Sequence, residues 1–288
     1  MQVIKKTIKY SKMSEWQNFL ICSDVHFGES ACDVKAFKAD LKKARERNAR
    51  IIIDGDLMGM ILPKDQKRYS PSVTKNSIHP FDAVINETIS ELAEILLPYA
   101  DLIDMIGMGN HEISIVKYHS IDVTSMLIRE LSRGSGEFTG SHGGITGFLR
   151  YQFDCGGHRK PFVIHYHHGA GGSAPMSKGM IGMQRTKIQW LADMYIAGHC
   201  HNRWSDSDSL VCLNSQGTIE VKDRRTVKSG NYRLSYPLQD QKTAANIDYT
   251  ELFQAQVKPI GGVFAKVRLK NCQRGSKVVT EFEQVIEI

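Results

Sequence analysis

The sequence predicts an α/β fold whose strands end in short polar motifs. Two observations carry this. Five apolar runs of strand character, at residues 19–22, 51–53, 102–108, 162–164 and 195–197, are each followed within a few residues by a cluster of Asp, His, Asn or Gly. Between the first two runs, Val34, Phe37, Leu41 and Ala44 share one face of a helical pattern over residues 33–47. Open α/β sheets gather ligands outside the carboxyl ends of their strands. Five such ends can point side chains from distant parts of the chain at one place.

Residues 1–16 read as an irregular or edge segment. The helix at 33–47 crosses between the first two strands as a right-handed βαβ unit. Residues 61–80 form a polar, basic, Pro-bearing insertion close behind Asp56; it either lines a substrate cleft or forms a mobile surface flap. Residues 81–97 give the clearest helix, with Phe81, Val84, Ile85, Ile89, Leu92, Ile95 and Leu96 in one apolar stripe. Pro98 stops it, and the stripe is core packing. A further helix is expected at 121–131, then a Gly- and Ser-rich loop at 134–147 in which His142 is a loop histidine. Strands at 148–153 and 161–167 flank Cys155-Gly156-Gly157-His158, read as a hairpin turn rather than a metal site. A solvated helix face is expected at 184–191. Beyond His201 the chain turns β-rich, with strands at 210–213, 218–222, 262–269 and 278–286. Val263, Ala265, Val267 and Leu269 alternate with polar and aromatic neighbours, as on a half-buried strand. No internal repeat or low-complexity segment occurs. The chain reads as one domain, 1–288, with the insertion at 61–80 and a β-rich part at 202–288.

Composition is that of a soluble globular protein: 41% hydrophobic and 24% charged over 288 residues. No apolar run approaches the ~20 residues that span a bilayer. The start, Met1-Gln2-Val3-Ile4-Lys5-Lys6, lacks the apolar core of a signal peptide. Six cysteines contain no Cys-x-x-Cys pair, so a zinc ribbon is not expected and reduced thiols in a cytoplasmic setting are. The net charge of +6 is compatible with a polyanionic partner.

The five motifs are Asp24-Val25-His26, Gly55-Asp56, Gly109-Asn110-His111-Glu112, His167-His168-Gly169 and Gly198-His199-Cys200-His201. Aspartate and neutral imidazole suit Mn, Fe and Zn. Asp24 and His26 stand two apart and share a face of an extended segment, so both can reach one ion. Asp56 is the best bridging group, since a carboxylate has two oxygens. Asn110 offers a neutral carbonyl oxygen, and His199 and His201 can serve one metal each. Two metals ~3.5–4 Å apart activate water and neutralise charge on phosphorus oxygens. His111 is left over and suits the leaving oxygen. Alone, Asp-x-His is ordinarily a loop or cap, Gly-Asp a turn, and Gly-Asn-His-Glu a helix start with Asn as N-cap. Five together, in this order, outweigh those readings.

This set resembles the calcineurin-like metallophosphoesterase superfamily, whose pattern is Asp-x-His, Gly-Asp, Gly-Asn-His-Glu/Asp, His and Gly-His-x-His. The resemblance covers residues 20–201. It implies a two-sheet β-sandwich flanked by helices, a four-layer αββα arrangement in which the C-terminal strands fit the second sheet. It implies one metal on Asp24, His26, Asp56 and His201, a second on Asp56, Asn110, His167 and His199, and His111 as the catalytic histidine. The ions would be two divalent metals among Mn, Fe, Zn and Ni, with Mn favoured. In the fourth block the usual His-x-Gly selects His167; His165 lies on the same strand face, and His168 reads as a substrate-side or loop residue. The second block lacks the Asp and Arg of the serine/threonine phosphatases, running Gly55-Asp56-Leu57-Met58-Gly59-Met60. With the first block, this looks like the phosphodiesterase and nuclease branches. The loop His168-Gly169-Ala170-Gly171-Gly172 and the segment Lys258-Pro259-Ile260-Gly261-Gly262 look like phosphoesterases of bacteriophages and prophages, which implies a bacterial or phage-infected cytoplasm.

Lys178, Arg185 and Lys187 lie between two metal blocks, and Lys178 and Arg185 are candidates for holding a substrate phosphate. Lys222, Arg224, Arg225, Lys228 and Arg233 with Tyr232 are the mixture that can hold a nucleic-acid backbone, although a charged surface hairpin explains it too. The expected activity is metal-dependent phosphoester hydrolysis, with a phosphodiester, nucleic acid included, as the substrate. The alternatives are a small-molecule phosphomonoesterase or cyclic-nucleotide phosphodiesterase, and a non-catalytic scaffold.

Overall fold

The protein is described by a computed structural model over residues 1–67, 69, 81–171, 174–213, 217–236, 249–252, 254–274 and 277–288. Most of the expected insertion at 61–80 therefore lies outside the described residues. Its described start is not a cleft lining: Leu62 and Asp65 are buried, and the Asp65 carboxylate accepts from Ser114 Oγ at 2.7 Å.

Two six-stranded sheets face each other. The first joins β12 (Lys277–Glu287), β11 (Val263–Arg274), β2 (Gln17–Cys22), β3 (Arg50–Ile53), β4 (Ile103–Gly107) and β5 (Ser141–Gly144), in that order. β2 to β5 run parallel. The second joins β1 (Gln2–Tyr10), β6 (Thr146–Cys155), β7 (His158–His167), β8 (Met194–Ala197), β10 (Ile219–Ser229) and β9 (Arg203–Leu213). The core between the sheets is apolar and includes Phe19, Ile21, Met105, Tyr151, Phe162, Ile164 and Val263. Helices α1 (Val34–Glu46), α2 (Phe81–Leu96) and α4 (Val123–Gly134) cover the first sheet's outer face through a second core. Helix α5 (Met180–Gln189) contributes Met183 to a smaller cluster on the second sheet's outer face, with Ala192, Tyr195 and Ala197. The expected four layers, αββα, are present.

The local signals explain most elements. Asp33 caps α1, its carboxylate accepting from Ala36 N at 2.9 Å. Phe37 and Leu41 are wholly buried, each worth ~1.5–3 kcal/mol of apolar transfer. Pro98 ends α2, and the last turn tightens into the 3₁₀ segment Leu97–Tyr99. Cys155–His158 is the expected hairpin turn: Gly156 and Gly157 both take positive φ, at 56° and 93°, which a two-residue turn of this hand requires. The edge segment at the start is β1, parallel to β6 at the border of the second sheet.

The five motif strands divide between the sheets, β2, β3 and β4 in the first and β7 and β8 in the second. Two expectations are corrected. Only half of the C-terminal strands join the second sheet. β9 and β10 extend the second and β11 and β12 extend the first, because alternation fixes which face a strand buries but not which sheet it joins. The Gly-Ser stretch contributes β5, and a helix follows the third motif, α3 (Asn110–His119), with Gly109 rather than Asn110 at its N-cap. Among the described residues no helix is long and apolar enough to cross a membrane.

Candidate metal centre

The two sheets bring their motif-bearing carboxyl ends together, and the polar side chains meet there. Asp24, His26, Asp56 and His168 are buried, and Asn110, His111, His199 and His201 are partly so. Three overlapping groups have donor atoms within 4.8 Å of one another: Asp24, His26 and His201; His26, Asp56 and His111; and Asp56, His168 and His199. His26 Nε2 faces His201 Nε2 at 3.1 Å, and His201 Nε2 lies 3.4 Å from Asp24 Oδ1. On the other side, His168 Nε2 is 3.1 Å from Asp56 Oδ2 and 3.9 Å from Asp24 Oδ1. His199 Nδ1 lies 2.7 Å from Asn110 Oδ1.

The fourth block is where the structure departs from the sequence. His168, not His167, enters the group. Residues 163, 165 and 167 share the outward face of β7, opposite the inter-sheet residues Phe162, Ile164 and Tyr166. His165 is therefore buried on that outer face, stacked on Trp190 at 5.6 Å between ring centres. The His167 ring turns back to its own loop, with Nδ1 accepting from Gly169 N at 2.8 Å. The strand ends at His167, and the next residue swings into the cleft. His142 also stays away from the centre, 3.4 Å from Asp122.

The backbone at this centre is held in an unusual state. Asp24, His26, Asp56, His199 and His201 all have positive φ, between 46° and 71°. They are five of the ten described non-glycine residues in that region. Each costs about 1–3 kcal/mol and persists only where surrounding structure imposes it, chiefly at functional sites. The glycines beside them are needed for close approach. A Cβ on Gly109 would strike the Asp56 carboxylate, and one on Gly198 would strike Ser23 and Asp24.

Buried acids fix the arrangement. Glu112 accepts backbone N–H groups from Gly109 at 2.8 Å, Met58 at 2.9 Å and Asp56 at 3.1 Å, tying the second motif to the third. Burial, then the nearby Asp56 charge, pushes its carboxyl up to about 7. Glu29 is 3.1 Å from His26 Nδ1 and 3.7 Å from His111 Nδ1, and its other oxygen accepts from Arg233 Nε at 2.8 Å. Burial alone would raise Glu29, but His26, His111 and Arg233 bring it down to about 2. For Asp24 and Asp56 burial is likewise outweighed. His168 and His201 hold the first below the usual carboxylate range, and His111, His168 and His26 the second. Burial would lower His168, yet the facing Asp56 and Asp24 raise it well above an ordinary histidine.

This donor set fits divalent metal ions. His168 Nε2 is a buried nitrogen without a hydrogen-bond partner, aimed at a carboxylate. Its Nδ1 lies 2.6 Å from the Asp54 carbonyl, and His26 Nδ1 lies against Glu29. Metal-binding histidines are held in this way through the second nitrogen. No role at the centre is legible in the sequence for Glu29, for Glu112 of the third motif, or for Arg233, which entered only as part of the basic run at 222–233. Glu29 and Glu112 stand three residues beyond His26 and Gly109, a spacing that also occurs in any helix start, and nothing local marks Arg233.

The remaining candidates lie outside this group. Lys178 and Arg185 are exposed, the first just before α5 and the second within it. Arg185 shares a cavity of about 450 Å³ with His167, His199 and Lys228. The basic run at 222–233 does not face solvent as a unit. Arg224 forks onto Asp208 at 2.9 Å, Lys228 Nζ donates to the Gly198 carbonyl at 2.8 Å, Arg233 binds Glu29, and Tyr232 is buried.

No family model and no curated protein matches the chain. Among solved structures, it is similar to Chaetomium thermophilum Vps29, at 9% identity and TM-score 0.36 over 94% of this chain and 96% of that one. It is similar to a metallophosphoesterase from Sphaerobacter thermophilus, at 16% identity and TM-score 0.37 over 93% and 88%. A third is a conserved protein of Streptococcus pneumoniae described as a predicted phosphoesterase, at 10% identity and TM-score 0.29 over 95% and 99%. Similarity this low transfers no role to any residue.

Proposed function

We propose that the chain is a metal-dependent phosphoester hydrolase of the calcineurin-like type, with a binuclear centre, acting on a phosphodiester. One observation carries the reading: Asp24, His26, Asp56, Asn110, His168, His199 and His201 converge from two sheets, and five of them sit on left-handed backbone. Asp24, His26, Asp56 and His201 would hold one ion. Asp56, Asn110, His168 and His199 would hold the other, with His168 in the place that the family pattern assigns to His167. When bound, such a pair supplies Lewis-acid activation of water and neutralises charge on the phosphoryl oxygens.

The protein's own groups do the rest. Asp56 faces both halves of the centre and is fixed by the His111 backbone N–H, which donates to Oδ1 at 2.8 Å. Glu29 orients the His26 ring and holds the His111 ring beside it, with ring centres 4.5 Å apart. His111 thus stands at the edge of the centre, 4.0 Å from Asp56 Oδ2, where it can deliver a proton to the leaving oxygen.

A diester is favoured over a monoester dianion because the cations packed against the centre itself are already engaged. The second motif has no arginine, and Arg233 and Lys228 are engaged by Glu29 and by a carbonyl. The same engagement removes much of the support for nucleic acid, since most of the run at 222–233 is turned inward. The non-catalytic reading would call for missing donors, and all eight positions are filled. The glycine-rich loops after His168 and Lys258 are the sole support for a phage-type affiliation.

The test is hydrolysis of bis(p-nitrophenyl) phosphate by purified protein with Mn, Fe, Zn, Ni or Mg, beside the monoester and labelled DNA. Metal-dependent diester cleavage that disappears in Asp56→Ala supports the proposal. Equal activity in Asp56→Ala, or none with any metal, refutes it.

A further inference from the structure

Beside the centre lies a cavity of about 700 Å³ between α5 and the segment 256–259, within the size range of small-molecule sites. It adjoins the cleft at His199 and His201, because Lys258 and Gln256 line both. Its rim is unusually apolar for exposed surface. Met176, Ile188 and Val257 are 95%, 85% and 75% exposed, and Ile181 and Met180 are also exposed. Soluble proteins rarely leave contiguous aliphatic surface uncovered unless it binds something.

The charged lining is mainly cationic. Lys178, Arg185, Arg203 and Lys258 reach the cavity, and the one acid there among the described residues, Asp206, faces Lys187 at 3.6 Å. Lys178 and Arg185 have no acidic partner among the described residues. Asn202 is buried, and its amide nitrogen, a donor, has no hydrogen-bond partner. The Arg203 Nε is a second buried donor without one. Lys258 Nζ donates to Asn202 Oδ1 and Arg203 Nη1 to the Ile260 carbonyl, both at 2.8 Å. Unpartnered donors beside Lys178 and Arg185 call for an acceptor-rich anion. The aliphatic rim calls for a hydrocarbon chain rather than a base: among the described residues Trp204 is the one aromatic side chain in the lining, whereas nucleotides are held by stacking.

We infer that this cavity binds the hydrocarbon part of an anionic amphiphile, with Lys178, Arg185 and Lys258 at its charged end, so that the phosphodiester presented to the metal centre is lipid-like. The inference deepens the proposed function but is tested apart from it. Chelator-treated full-length protein is titrated with butyl, octyl and dodecyl phosphate below their micelle concentrations, with adenosine monophosphate in parallel, following tryptophan fluorescence and heat. Affinity should rise about two- to fourfold per added methylene, as expected for burial of each CH₂. It should drop at least tenfold in Ile181→Glu and in Arg185→Glu, both at exposed positions where folding is not at risk. Affinity independent of chain length, or adenosine monophosphate binding as tightly as dodecyl phosphate, overturns the inference. Chain-length-dependent binding in a protein that hydrolyses nothing would uphold the cavity and refute the hydrolase; diester hydrolysis without alkyl phosphate binding would do the reverse.

Discussion

His168 Nε2 lies 3.1 Å from Asp56 Oδ2, a contact that joins the carboxyl end of one sheet to that of the other. The neighbouring His167 points along the outer face of β7 and closes its own loop. The proposed second metal position therefore depends on His168.

Replacing His168 with Ala should weaken metal binding by tenfold or more, while His167→Ala should change it less than threefold. Isothermal titration with Mn or Zn on both variants decides this. The reverse order would restore His167 as the ligand.

How much of this was readable in advance depends on range. The strand ends, the βαβ crossover, the hairpin at Gly156 and Gly157, and the motifs whose side chains converge follow from local pattern and motif spacing. The choice among His165, His167 and His168 does not, because it turns on the residue at which β7 ends. A one-residue shift reverses the face of a strand side chain. The division of strands between sheets and the Glu29–Arg233 pair, 204 residues apart in sequence, are tertiary outcomes with no local signature.

Glu29 is a positioning residue. Glu29→Gln keeps the shape but removes the charge facing His26 and His111, so metal affinity should fall ~10–100-fold. It also leaves the buried Arg233 guanidinium without its carboxylate, so a destabilisation of ~3–5 kcal/mol is expected. Arg233→Met leaves Glu29 against His26 and His111, so metal affinity should fall less than in Glu29→Gln. Metal titration and urea denaturation of the two variants check this. A greater loss of metal affinity in Arg233→Met than in Glu29→Gln would contradict the assignment.

The glycines divide by what surrounds them. Gly198→Ala must displace Ser23 and Asp24, destabilising by ~1–3 kcal/mol and abolishing metal binding. Gly182, inside α5 with open space around it, should tolerate Ala and gain ~0.5–1 kcal/mol of helix propensity. Thermal melts of both variants, with and without metal, check the contrast.

His165 carries a pH dependence of its own. Burial, then the neighbouring His167, pushes it down to about 4, below the ~6.5 of an exposed histidine. Between those values the unfolded chain binds more protons, so stability falls as pH drops from 6.5 to 4 and levels off below. The full span is worth up to ~3 kcal/mol. His165→Leu should flatten this slope in urea midpoints taken from pH 4 to 7. An unchanged slope would show that His165 is protonated or exposed in the folded protein.

The most direct test counts ions. Protein loaded with Mn or Zn and freed of excess metal should carry two ions per chain by mass spectrometry of the elements, and one or none in Asp56→Ala, since that carboxylate faces both halves of the centre. One ion or none in the wild type, or two retained in Asp56→Ala, would contradict a binuclear centre built on Asp56.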